Sequence, residues 1–104
     1  MTPKLVRDRI PELISAHGER PRTRRLDDKE YVAALHDKLQ EECQEYLSAN
    51  TDVSAVEELA DVMEVVRALA AVHGASPEAL EVVRAEKAAR RGGFLERIYL
   101  IDVE

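Results

Sequence analysis

The stretch "LQEECQEYLSANTDVSAVEELADVMEVV", Leu39 to Val66, decides the reading of this chain. From Glu41 to Glu64 it carries eight acidic residues and no Lys or Arg, in two segments whose apolar residues otherwise have core-forming helix spacing. On a wheel of about 100° per residue, Leu35, Leu39, Glu42 and Tyr46 share one narrow stripe, so Glu42 stands where a core leucine is expected. Glu45 lies one turn further, at the edge of that stripe, and Glu41 falls outside it. In the second segment Val56, Ala60, Met63, Val66 and Ala70 mark one apolar side, and Val65, Leu69 and Val72 mark another. Glu58 and Asp61, spaced i,i+3, lie on that second side, while Glu57, Glu64 and Arg67 mark the polar sector between. The spacing predicts a helix packed on two faces.

Working outward, Asp27 or Asp28 followed by Glu30 predicts an N-cap for a long helix ending near Ser48. Asn50 and Thr51 make the turn. A second long helix is expected to start between Asp52 and Ser54, with Ser54 and Glu57 as a capping box, and to stop at His73 and Gly74. Ser76 and Pro77 open a third, which ends before Gly92 and Gly93. A short helix from Ile10 or Pro11 ends before Gly18. The fold class is therefore all-α, a bundle of three long helices and a short N-terminal one, in a single domain over residues 1–104. The tail "FLERIYLIDV" reads as a strand, and a two-stranded β ribbon with Arg22–Leu26 is the pairing open to it.

A carboxylate taken from water without a partner costs several kcal/mol or changes its protonation state. If the two acidic helices pack antiparallel, Glu42 and Glu45 face Glu58 and Asp61, and no base between Glu41 and Glu64 stands at i,i+4 spacing to compensate them. Two like charges about 5 Å apart repel by roughly 3 kcal/mol at an effective dielectric of about 20. A divalent cation reverses the sign of that interaction. An all-oxygen ligand set without Cys/His zinc spacing favours Mg²⁺, with Mn²⁺ as a substitute, over Zn²⁺. The competing reading is an ordinary solvated acidic face.

The rest of the sequence limits the function classes. The 104 residues suffice for one domain near the lower end of sizes that bury a core unaided, which makes a partner subunit an expectation. With 45 % hydrophobic and 35 % charged residues, the chain is too apolar for disorder. No run approaches the roughly 20 apolar residues of a membrane span, and "MTPKLVRDRIPELI" has no secretory apolar region, so a cytoplasmic location is expected. The formal net charge of −6 argues against nonspecific nucleic-acid binding. Bases nevertheless cluster on both flanks of the acidic middle, in "RPRTRR" and at Lys87, Arg90, Arg91 and Arg97, a layout suited to an anionic ligand. The single Cys43 forms no intrachain disulfide and reads as a packing residue. No Glu-x-x-His pair points to a di-iron bundle.

The elements "EECQE" (Glu41, Glu42, Glu45) and "ELAD" (Glu58, Asp61) resemble the EExxE and ExxD metal motif of the all-α nucleoside triphosphate pyrophosphohydrolases of the MazG-like group. "KLVRDRIPE" and "KAARRGGF" are similar to flanking elements of short members, so the likeness spans nearly the whole chain. The resemblance implies a Mg²⁺-dependent enzyme that cleaves the α–β phosphoanhydride of a nucleoside triphosphate to a monophosphate and pyrophosphate, assembled as a homodimer or homotetramer. It implies Glu42, Glu45, Glu58 and Asp61 as metal ligands and Glu41 as a water-orienting acid. Lys87 and Arg91, four residues apart on a stripe with Leu80 and Val83, are then expected to contact substrate phosphates. The other reading of Arg90 and Arg91 is the ordinary enrichment of bases at a helix C-terminus. Two further readings stay open: phosphoribosyl-ATP pyrophosphatase, which "KLVRD" and "RGGF" fit less well, and a noncatalytic helical oligomerisation or metal-binding module.

Overall fold

The structure is a computed structural model that describes residues 3–104. It is all-helical: α1 spans Ile10–Ala16, α2 Asp28–Leu47, α3 Asp52–Val72 and α4 Pro77–Arg91. Local chemistry sets each boundary. Asp27 accepts from the Glu30 backbone N–H while the Glu30 carboxylate accepts from the Asp27 N–H, so a capping box opens α2. Ser76 accepts from the Ala79 N–H and Pro77 occupies the first turn of α4, where its missing N–H costs nothing. At the end of α3, Gly74 takes φ 83°, and the N–H groups of Gly74 and Ala75 return to the carbonyls of Ala71 and Ala70. That paired closure needs a left-handed residue, which glycine adopts without Cβ strain.

Two expectations fail. The cap of α3 is Thr51, whose hydroxyl accepts from the Ser54 N–H, so the helix starts earlier than a Ser54–Glu57 box would place it. Nor does Arg22–Leu26 pair with the tail, for there is no strand among the described residues. Arg24 is instead held by a two-pronged ion pair to Glu30, at 2.8 and 3.2 Å. The tail leaves the far end of α4 with every residue exposed. A lone two-stranded ribbon without an apolar backing is marginal in water, which accounts for its absence.

The principal packing is between α2 and α3, joined by the short turn at residues 48–51, with α4 touching α3 more lightly. Leu35 and Val65 lie at nearly the same distance from that turn, one on each helix, and among the described residues they are the only buried hydrophobics. Val65 lies about 180° round α3 from Val56. The face of α3 turned to α2 is thus the Val65 side, and the Val56 side is left to solvent, with Val56 at 65 % and Met63 at 64 % exposure. The second packed face expected of α3 has no covering element among the described residues of the single chain. No helix among the described residues is long and apolar enough to cross a membrane.

Candidate metal centre

The hairpin brings α2 and α3 together so that Glu42, near the turn on α2, faces Glu58 on α3. Asp61, three residues along α3, falls on the same side as Glu58 and Val65. Glu42, Glu58 and Asp61 each offer a carboxylate oxygen within 4.8 Å of the others, all three residues being half-buried. Opposite ligands of a Mg²⁺ ion stand about 4.2 Å apart and those of Ca²⁺ about 5 Å, so this all-oxygen trio fits a hard divalent cation with a small inward movement of the side chains. Glu45 stays outside the trio and is exposed.

The acids interact as like charges. Partial burial, followed by repulsion from Asp61, Glu45, Glu42 and Glu57, raises the Glu58 carboxyl above its ordinary value. Glu45 therefore belongs to the same electrostatic cluster although it lies off the tight group.

Bases from outside the acidic stretch partly offset that repulsion. Lys38 precedes Glu42 by four residues and Glu41 by three, and its Nζ lies 3.5 Å from an oxygen of each. Lys38 and Glu42 side chains are only 17 % and 13 % exposed, so this contact is the best shielded of the ion pairs at the site. Arg7 donates from Nη2 to Asp61 Oδ1 at 2.5 Å, and Lys4 Nζ approaches Glu41 Oε1 at 3.9 Å. The three bases Lys4, Arg7 and Lys38 thus contact Glu41, Glu42 and Asp61, and no ion pair among the described residues meets Glu45 or Glu58. The cluster keeps a net negative charge, which a divalent cation would offset.

A stretch of 54 residues is 56 % identical to an uncharacterized protein of Mycolicibacterium smegmatis. It covers 52 % of this chain and 55 % of the relative, so the likeness spans about half the length of each. No family model matches the chain, and no solved structure matches it.

Lys87 and Arg91 lie on the last turns of α4, exposed, and neither makes an ion pair with the cluster among the described residues. The single chain does not bring them to the carboxylates. Arg90 and Arg91 do sit in the last turn, where bases favour the negative helix end. Cys43 is exposed rather than packed inside, since it falls off the Leu35–Glu42 stripe. Sequence reasoning passed over Lys38 because it lies just before Glu41, although the i,i+3 and i,i+4 relations to Glu41 and Glu42 were legible. For Lys4 and Arg7, in "KLVRD", the sequence leaves open a place at the site or a mere surface pairing, and the folded path of the N-terminal segment takes them to Glu41 and Asp61.

Proposed function

We propose that this protein is a Mg²⁺-dependent nucleotide pyrophosphohydrolase that cleaves the α–β phosphoanhydride of a nucleoside triphosphate, giving a monophosphate and pyrophosphate. The observation that carries the reading is the convergence of Glu42, Glu58 and Asp61 from two helices on one point, with Glu58 met by no base among the described residues. The motifs "EECQE" and "ELAD" and their flanks supply the choice of reaction. Glu42, Glu58 and Asp61 hold the Mg²⁺, or Mn²⁺ in its place, and Glu45 completes the set on substrate binding. When bound, the cation shields phosphate oxygens and makes a coordinated water more acidic.

The chain's own residues do the rest by position and charge, as phosphate chemistry asks little covalent work of a protein. Glu41, tied to Lys4 and Lys38, orients the attacking water. Lys87 and Arg91 contact the phosphates in an assembly of two or four copies. The water oxygen bonds to phosphorus as the α–β anhydride breaks, and pyrophosphate leaves with the bridging oxygen.

A second reading, a noncatalytic metal-binding oligomerisation module, is favoured by the distance of α4's bases from the cluster and by the exposed apolar faces. Incubation with Mg²⁺ and a panel of nucleoside triphosphates separates the two. Monophosphate plus pyrophosphate supports the hydrolase, diphosphate plus phosphate removes the proposed bond cleavage, and metal binding without turnover favours the module.

A further inference from the structure

The isolated chain is far too open for its size. It exposes 9,674 Å², whereas a compact folded monomer of its mass exposes about 5,900 Å². Its radius of gyration is 17.8 Å, against about 13 Å for a compact domain of this length. The excess, on the order of 3,800 Å² per chain, is more than the roughly 1,000–2,500 Å² per chain that an obligate homodimer interface buries. Two stretches contribute to it.

One is the tail. Phe94, Leu95, Ile98, Tyr99, Leu100, Ile101 and Val103 are between 74 and 96 % exposed, a run of apolar side chains that no part of the chain covers. The other is the stripe of α3 formed by Val56, Leu59, Met63 and Val66, spaced to share one face and lying opposite the buried Val65. Soluble proteins rarely leave contiguous apolar areas of more than a few hundred Å² open to water, and patches of that size mark an interaction surface.

We propose that residues 94–103 form an exchange arm that packs on the outer α3 stripe of a second copy of this chain, reciprocally, in an intertwined dimer. The arm is long enough to span the stripe. Ten extended residues reach about 33 Å, while Val56 to Val66 rise about 15 Å along α3, so the arm can run the whole stripe. Gly92, at φ 82°, and Gly93 form the joint through which the arm leaves α4. A second copy is the occupant because donor and acceptor surfaces both belong to this chain and one contact made reciprocally covers both. The proposal takes up the assembly named above but does not depend on metal or nucleotide, so it stands or falls separately from the hydrolase reading.

Light scattering after size exclusion on the full chain should give twice the 11.7 kDa chain mass or a multiple of it. Ile98→Asp or Ile101→Asp in the arm, and Met63→Glu in the stripe, should each shift the protein to monomer with its far-ultraviolet helix signal kept. In a Cys43→Ser background, mixing Met63→Cys chains with Ile101→Cys chains should yield a disulfide that joins the two variants. A monomeric wild-type protein overturns the proposal, as does a dimer unmoved by all three charged substitutions. So does a chain carrying both cysteines that closes the bond within itself, since that places the arm on its own α3.

Discussion

Arg7 Nη2 donates to Asp61 Oδ1 at 2.5 Å, joining residues 54 apart in sequence and laying the N-terminal segment across the acidic face. Arg7 and a divalent cation therefore draw on the same carboxylate. The pair is partly exposed, and such pairs are worth about 0–1 kcal/mol. Arg7→Gln should accordingly tighten Mn²⁺ binding, by up to about fivefold, as read by calorimetry or by the loss of the free-ion paramagnetic resonance signal. Weaker binding in the variant would mean that Arg7 orients Asp61 for the metal rather than competing with it.

Removing one ligand of the trio should cost far more than removing the outlier. Asp61→Asn and Glu58→Gln are expected to lower Mg²⁺-dependent hydrolysis by on the order of 100-fold or more, with the helix signal unchanged. Glu45→Gln should fall less, because Glu45 stands off the trio and senses it through space. Equal losses at Glu45 and Asp61 would put Glu45 among the direct ligands.

Much of this site was legible before folding, and the limit has a physical cause. Helical periodicity at Glu42 and the i,i+3 spacing of Glu58 and Asp61 report which side of a helix a residue takes, and α2 and α3 kept those sides. The caps at Asp27 and Ser76 are likewise local chemistry that a sequence carries openly. Of the acids' partners, Lys38 is local and the other two are not. Arg7 and Lys4 reach Asp61 and Glu41 through the path of a segment without helix periodicity. The tail misled for the related reason that β-branched composition favours a strand only where a partner edge exists.

Two of the perturbed carboxyls, Glu58 and Glu30, should act on stability with opposite sign. Glu58 is raised by partial burial and neighbouring acids, so the folded metal-free protein holds that proton more tightly than the unfolded chain. Its contribution is present below the ordinary 4.5 and is lost as pH rises through the raised value. Mg²⁺ should therefore raise the melting temperature more at pH 7 than at pH 5, and Glu58→Gln should shrink that difference. Glu30 is lowered to about 2, chiefly by the hydrogen bonds from Arg24 and then from the Asp27 backbone, so its contribution is present above 4.5 and lost as pH falls toward 2. Glu30→Gln should flatten the acid limb of a melting-temperature profile, and a limb unchanged in that variant would remove Glu30 from its cause.

The hairpin core rests on few residues, so each should weigh heavily. Leu35, at 3 % exposure, should cost about 2–5 kcal/mol on change to Ala. Denaturant unfolding at fixed protein concentration measures this, and a loss below about 1 kcal/mol would show that the site collapses around the smaller side chain.

The most direct test of the account is the product pattern of the wild-type protein with Mg²⁺ and nucleoside triphosphates, run beside Asp61→Asn and a chelated control. The account predicts nucleoside monophosphate and pyrophosphate in equal amounts, only with the metal and only from the wild-type chain. Diphosphate with free phosphate, or equal turnover by Asp61→Asn, would contradict it.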